Sequence, residues 1–322
     1  MIVGYAPDNG RLRAVPDALA SFATVVWLDL VSPTAEEEAE VEQRLGVDIP
    51  TREEMQEIEI SSRLYVEDDG IFMTATLPAR TDSDDLQMGP VTFVLAHGKL
   101  ITVRYHEPRA FKTFPQRAEK AALGCTGGDV VLVNLLEATS DRIADILERA
   151  EHEVDDLSRN IFTAEPESSV RPDLRNVLQR VGRKGDLCSH VRDSLLSLQR
   201  LAGFLGHVLT QRNVDKELRG RVKTLGRDAE SLGDHASFLS QKITFLLDAT
   251  LGMIAIEQNN IIKIFSIAAG VFLPPTLIAS IYGMNFRVMP ELSWAYGYPL
   301  AWVLMLVSAL LPLWYFRRRG WL

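Results

Sequence analysis

The sequence predicts an α+β domain, a mixed sheet flanked by helices, followed by a very long helix and two membrane-spanning helices. Three observations carry this. Short strand-like runs with hairpin turn signals fill residues 1 to about 105. Helical periodicity then continues, with few breaks, to residue 282. Two long apolar stretches, residues 261–282 and 299–316, close the chain.

Residues 1–5 and 11–15 flank Asp8-Asn9-Gly10, a hairpin turn signal. Residues 25–30 form a short apolar run. Ser32-Pro33-Thr34 then caps an acidic helix over 36–45. Thr51 caps a second short helix, with Glu54 three residues on as its capping-box partner. Residues 63–66 and 71–77 are joined by Asp68-Asp69-Gly70, and residues 91–95 and 100–105 by His97-Gly98-Lys99. These make two more hairpins, so the sheet is mixed or antiparallel.

From Pro108 the pattern turns helical. Residues 131–162 place Leu132, Leu136, Ile143, Ile146, Ala150, Val154, Leu157 and Ile161 at helical spacing. The other face carries Glu137, Asp141, Asp145, Glu148, Glu151, Asp155 and Asp156, and Glu165-Pro166 ends the helix. His152, between Glu151 and Glu153, reads as surface. A second long helix is expected from about 169 to 209, with a break at Gln211-Arg212-Asn213. From Val214 no proline occurs until Pro274. One helix over 214–282 would be roughly 100 Å long at about 1.5 Å per residue, a length that suits a stalk entering a membrane. The expected divisions are 1–125, a sheet domain; 126–213, long helices packing on it; 214–260, the stalk; and 261–322, the membrane domain.

Within 261–282 the only charge is Lys263, near the expected cytoplasmic end, where it can snorkel. Trp294, Tyr296, Tyr298, Trp314 and Tyr315 bound the second run in an interfacial pattern. Two buried core helices are the alternative; length, adjacency and flanks favour membrane spans. Arg317-Arg318-Arg319 puts the end of the second span in the cytoplasm by the positive-inside rule. Both termini are then cytoplasmic, 283–298 is the outer loop and 317–322 a basic tail.

Net charge is −9 over 322 residues. From residue 261 onward there are five basic residues and one acid, leaving −13 on residues 1–260. That balance argues against nucleic acid, whose phosphates call for Lys and Arg, and suits attraction of cations. Plain solubility explains it equally. Cys125 and Cys188 form no Cys-x-x-Cys pair and suit a reducing compartment. The N-terminus lacks a basic region and a long apolar run, so no signal peptide is expected.

On the first span, alternating steps of three and four place Asn259, Ile262, Ser266, Ala269, Leu273, Thr276 and Ser280 on one stripe, with Asn285 just beyond the helix. Small and hydroxyl-bearing residues there serve helix packing. Repeated about a symmetry axis, they would line a narrow pore, with Ile262 and Leu273 as apolar constrictions. Neutral oxygens suit a hard divalent cation that keeps its water, because magnesium dehydrates reluctantly. No carboxylate lies on the stripe, which argues against a proton-coupled carrier. Pro274 and Pro275 remove two helix donors and free the carbonyls of Gly270 and Val271, so a kink is expected.

Tyr282-Gly283-Met284-Asn285-Phe286, followed by Met289-Pro290-Glu291-Leu292, resembles the signature of the CorA family of divalent-cation (magnesium) channels. Tyr296-Gly297-Tyr298-Pro299 and the basic end fit as well. Glu257-Gln258-Asn259 and the runs 261–266 and 272–280 are similar to the enterobacterial branch. The match covers roughly residues 245–322; upstream only the layout agrees.

The resemblance implies a homopentamer in the bacterial inner membrane. First spans line the pore, second spans face lipid, and the soluble domains form a funnel. It implies that Gly283, Met284 and Asn285 bind hydrated Mg2+ at the outer mouth. The family's inner polar residue falls on Asn259, its threonine ring on Thr276, and its apolar gate on Ile262, Phe265 and Leu273. The family's sensing carboxylate on the stalk falls on Thr224, so Asp228, Asp234 and Asp248 are the nearby candidates, with Asp82, Asp84 and Asp85 opposite. Bound divalent ions there would hold apposed acids together and keep the channel closed.

No Walker loop, Rossmann fingerprint or Ser–His or Cys–His signature occurs, so neither an enzyme nor a cofactor is expected. Mg2+ is the expected transported and regulatory ion, with cobalt and nickel as further permeant ions. A zinc or other transition-metal transporter of the same superfamily is an alternative, disfavoured by a stripe without His or Cys. A non-conducting membrane-anchored sensor is another, and the polar stripe tells against a mere anchor.

Overall fold

The computed structural model describes residues 1–81, 86–162, 173–287 and 289–321. In chain order the elements are strands β1 (Ile2–Asp8), β2 (Arg11–Val15) and β3 (Trp27–Val31); helices α1 (Ala35–Leu45), α2 (Arg52–Met55) and α3 (Ile60–Arg63); strands β4 (Leu64–Glu67), β5 (Gly70–Ala79), β6 (Gln87–Ala96) and β7 (Lys99–Arg104); then helices α4 (Arg109–Lys120), α5 (Gly128–Phe162), α6 (Leu174–Gln211), α7 (Lys216–Tyr282) and α8 (Gly297–Arg318). A 3-10 turn at Pro290–Ser293 precedes α8. The chain divides into two compact units, Met1–Leu247 and Asp248–Leu322.

The strands form one mixed sheet of order β2-β1-β3-β7-β6-β5-β4. Every pairing is antiparallel except β3–β7, which runs parallel with Asp29 opposite Thr102. The three predicted hairpins are present. Asn9-Gly10 and His97-Gly98 turn with both residues at positive φ, as tight two-residue hairpins require. In the third, Asp68 and Asp69 take the positive φ, while Gly70 opens β5.

Side chains alternate across the strands and build two cores. Trp27, Ile71, Met73, Phe93 and Leu100 share one face with Phe111, Phe114 and the buried sides of α5 and α6. Leu28, Leu30, Phe72, Val94, Ile101 and Val103 share the other with Val41, Leu45 and Met55. Helices α1 and α2 start at full capping boxes, Thr34 with Glu37 and Thr51 with Glu54.

The helix boundaries differ from expectation in detail. Helix α6 starts at Leu174 rather than near 169, because Asp173 caps it by accepting from the Arg175 and Asn176 amides. The expected stop at Glu165-Pro166 lies outside the described residues. Helix α7 begins at Lys216, and α8 exceeds the apolar run 299–316 by two residues at each end.

Helix α5 starts against the sheet with no room for a side chain. The Gly128 amide donates to the Gly98 carbonyl at 2.9 Å. A Cβ on Gly128 would fall 2.3 Å from the Leu100 nitrogen and 2.4 Å from the Lys99 carbonyl carbon. Those are backbone atoms, so the helix itself would have to move. Gly128→Ala is expected to destabilise the first unit by about 3 kcal/mol, at the upper end of overpacking costs, read as a lower denaturation midpoint.

A buried polar network ties β3 to β7. Asp29 accepts from Arg104 Nε and Nη2 at 3.1 and 2.8 Å and from the Thr102 hydroxyl at 2.8 Å. Trp27 Nε1 donates to Thr102 at 3.0 Å. Arg104 Nη1 donates to the His106 carbonyl at 2.9 Å, and His106 Nε2 meets the Leu77 carbonyl at 2.9 Å. A carbonyl only accepts, so the neutral ring carries its proton on Nε2.

Burial pushes the His106 pKa down, the Leu77 hydrogen bond opposes this, and Arg104 adds to the depression. The unfolded chain therefore binds the proton more readily. This contribution is fully present above the unfolded value of about 6.5 and is lost as pH falls toward the folded pKa. Thermal unfolding between pH 7 and 5 should show wild type losing stability more steeply than His106→Gln. Equal slopes would mean that His106 does not titrate on unfolding.

In α7 of the first unit, Leu218, Val222, Leu225, Ala229, Ala236, Leu239, Ile243 and Leu246 are buried, with Leu232 half-buried. Steps of three and four make this a heptad seam. Small residues bring α6 close: a Cβ on Gly226 would lie 3.6 Å from Ala202, and one on Gly206 3.7 Å from Val222.

Candidate functional site

In the second unit, α7 continues through Pro274 and Pro275 without interruption and ends at Tyr282. Both α7 and α8 are long and apolar enough to cross a membrane. Along residues 261–282 the half-buried positions are Lys263, Ile267, Gly270, Val271, Pro274, Pro275, Ile278 and Tyr282. They recur at helical spacing. A Cβ on Gly270 would approach the Phe316 ring to 3.0 Å, so this face meets α8.

Asn259, Ile262, Ser266, Ala269, Leu273, Thr276 and Ser280 are all exposed. At 100° per residue their stripe is centred roughly 140° around the helix from the α8-facing residues. The predicted stripe is thus open surface, with Ile262 60% and Leu273 66% exposed. Phe265, 71% exposed, lies roughly 70° to one side of it. The Thr276 hydroxyl donates to the Phe272 carbonyl at 2.7 Å, so its oxygen can still accept from water.

The helix closes with the Gly283 amide on the Ala279 carbonyl at 2.9 Å and Met284 on Ile281 at 3.2 Å. Asn285 follows, exposed, beyond the end of the helix. In the loop beyond, Trp294 and Tyr296 pack edge to face at 5.9 Å. At the far end of α8, Arg318 lies over Trp314 and Arg319 over Tyr315. Cations stacked on interfacial rings suit a headgroup layer.

The candidate regulatory acids are less assembled. Asp228, Asp234 and Asp248 are exposed on α7, and Asp82, Asp84 and Asp85 lie outside the described residues. Six residues separate Asp228 from Asp234, which puts them roughly 120° apart around α7. Asp228 looks toward α5 of its own chain. Burial raises the Asp141 pKa, and Glu137, Asp145 and Asp228 push it further up against Arg117. Among the described residues no three His, Cys, Asp or Glu converge on a metal-sized site.

What sequence reasoning missed is how the acidic face of α5 is used. Glu137 accepts from Arg221 Nε and Nη2 at 2.9 and 2.6 Å, and Glu151 meets His235 at 3.3 Å. Asp155 pairs with Lys242, and Glu153 with Lys184 of α6 at 2.6 Å. Three of the seven acids on that face, Glu137, Glu151 and Asp155, thus clamp α7, and Glu153 beside them holds α6. Charges of opposite sign at matching intervals on α7 were the available signal. His152 itself is exposed, as expected.

The sequence profile of the CorA-like Mg2+ transporter protein family matches residues 22–318. The magnesium transport protein CorA of Pasteurella multocida is 36% identical over 323 residues, spanning 100% of both chains. That of Escherichia coli K12 is also 36% identical, again over 100% of each. The resemblance seen near the C-terminus therefore extends over the whole chain. The solved structure of the CorA magnesium transporter from Methanocaldococcus jannaschii shares the fold at a TM-score of 0.74 and 20% identity, covering 100% of this chain and 99% of that one.

Proposed function

The chain belongs to the CorA family, and from that premise we propose that it is a passive Mg2+ uptake channel of the bacterial inner membrane. Family members are transporters rather than enzymes, and the curated relatives carry magnesium transport in their names. The observation that carries the channel reading is the stripe on α7. Polar and small residues sit on a span-length helix, directed away from α8, and lead to Gly283-Met284-Asn285.

Exposed polar groups facing lipid would be costly. Around a symmetry axis they instead face water and one another. In this reading five copies assemble, α7 lines the pore and α8 faces lipid, with both termini cytoplasmic. Asn285 reads the hydration shell of the arriving ion. Thr276, Ser280 and Ser266 offer neutral oxygens below it, Asn259 guards the inner end, and Ile262, Phe265 and Leu273 form the apolar gate. Mg2+ keeps its water, so no stripping cost arises. Cobalt and nickel, as hydrated divalent ions of similar charge, pass by the same route.

The test is Mg2+ entry into proteoliposomes holding a dye that senses magnesium. An inside-negative potential should drive entry. Absence of potential-dependent entry overturns the reading.

Gating is assigned to cytoplasmic Mg2+ on Asp228, Asp234 and Asp248 of α7, with Asp82, Asp84 and Asp85 opposite. Replacing Asp228 and Asp234 together by Asn should weaken inhibition by internal Mg2+ by at least about thirtyfold in concentration, since each lost carboxylate removes roughly 1 kcal/mol or more of cation binding. Unchanged inhibition would remove both residues from the sensor.

A further inference from the structure

In the second unit, four cations gather where the first span begins and α8 ends. Lys263 lies on the α8-facing side of α7, two turns from Gly270, and Arg317, Arg318 and Arg319 close α8. Among the described residues none of the four enters an ion pair. Leu322 lies outside the described residues. A terminal carboxylate there, with Glu257 as the nearest acid on α7, would still leave cations in excess.

These arginines stand on a folded end, not a trailing tail. Gly320 takes φ 71°, its amide donates to the Arg317 carbonyl at 3.2 Å, and the Trp321 amide donates to the Phe316 carbonyl at 3.0 Å. That pair of bonds is a Schellman motif, and its usual apolar contact is present, with Trp321 stacked on Phe316 at 5.5 Å. Phe316 is also the ring nearest Gly270 of α7. The Arg318 guanidinium lies 5.3 Å from the centre of the Trp314 ring, and that of Arg319 5.4 Å from Tyr315. A guanidinium over a ring uses its flat face and keeps the N–H fork at its edge free. Two guanidiniums are thus ordered with their donors unspent. Orienting a span by charge alone needs neither the rings nor the cap.

We propose that this end of α8 binds the headgroup phosphate of an anionic phospholipid. Arg318 and Arg319 donate in pairs to its oxygens, and Lys263 adds a point charge from α7. The occupant is a lipid rather than a free phosphate because a second contact is built beside the first. Leu304, Val307, Leu311 and Trp314, all exposed, recur at steps of three and four and lead directly to Arg318. An acyl chain can follow that track while its phosphate stays at the level of the interfacial rings. The proposal rests on α8 facing lipid and does not depend on conduction.

The test places the full-length protein in phosphatidylcholine vesicles in which a minor share of lipid carries bromine near the headgroup end of its acyl chains. That share is either phosphatidylglycerol or phosphatidylcholine. Bromine quenches tryptophan on contact, so Trp314 and Trp321 report which lipid lies beside them. Brominated phosphatidylglycerol should reach half its quenching at a mole fraction at least about fivefold lower than brominated phosphatidylcholine, the effect of one Lys or Arg at an anionic surface. Arg317→Gln, Arg318→Gln and Arg319→Gln together should abolish that preference and leave quenching by phosphatidylcholine as it was. Arg318→Lys with Arg319→Lys keeps the charge but loses the paired donors, and should lower the preference about threefold. Soluble glycerol phosphate at millimolar concentration should not change it. Equal quenching by the two lipids, a preference kept by the Gln variant, a full preference in the Lys variant, or displacement by glycerol phosphate would each overturn the proposal. Quenching by neither lipid would overturn it together with the membrane placement of α8, whereas equal quenching leaves that placement standing. If the Gln variant elutes as aggregate, the Lys variant decides, since it changes no charge.

Discussion

Asn285→Ala is expected to lower Mg2+ uptake into proteoliposomes by at least about a hundredfold, while the protein elutes and unfolds as wild type does. The argument starts from the ion. Mg2+ gives up water reluctantly, so a mouth that recognises it must hydrogen-bond the water it carries. An amide oxygen accepts from such water, and the charge of the ion strengthens the bond. A hydrogen bond to a charged partner contributes about 1.5–3 kcal/mol, and about 1.4 kcal/mol is a factor of ten. One such contact per subunit, repeated around an axis, makes a hundredfold a lower bound. Asn285 is exposed after the end of the helix, so its truncation removes no core packing. Asn285→Asp separates affinity from flux. A ring of carboxylates should hold the ion more tightly and release it more slowly, so uptake should fall although block by a competing divalent ion strengthens. Uptake that is indifferent to Asn285→Ala would sink the role of the loop, whatever happens to the rest of the pore.

The parts of this fold that were legible in sequence are those decided within a few residues. Asn9-Gly10 and His97-Gly98 specify their turns because each can sit at positive φ, and the strands on either side follow. Thr34 and Thr51 announce their helices through acids three residues on. The stripe on α7 is legible because helical period is local. What was not legible depends on partners far away in the chain. The parallel β3–β7 pair joins residues about 75 apart, as Asp29 and Arg104 are, and nothing near either residue announces the other. The clamp of Arg221 on Glu137 spans 84 positions. The acids on α5 gave no sign of these pairs, because a carboxylate reads the same whether water or an arginine meets it. The regulatory acids are harder still. Their proposed partners belong to other copies of the chain, and no spacing rule within one sequence points across a subunit boundary.

Of all single changes in the first unit, loss of the Asp29 carboxylate should cost the most stability. Asp29→Ala is expected to destabilise by about 3–5 kcal/mol, the range for breaking a buried ion pair from one side. Asp29 is 3% exposed, and Arg104, at 8%, reaches it through two nitrogens. Without the carboxylate the guanidinium stays buried with its charge uncompensated, because Phe111 covers its face at 5.0 Å. The Thr102 hydroxyl loses its short acceptor as well and keeps only the Leu28 carbonyl at 3.5 Å. The cost is therefore the stranded charge rather than the strength of the pair. That distinction is testable, since Asp29→Ala with Arg104→Met removes both charges and should recover most of the loss. A denaturant series on wild type, both single variants and the double variant measures it. If the double variant is as unstable as Asp29→Ala alone, the network stabilises through Trp27–Thr102 packing, and the ion pair is incidental. If it recovers, the pair fixes the β3–β7 register more than it adds to stability, because a wrong register would strand Arg104.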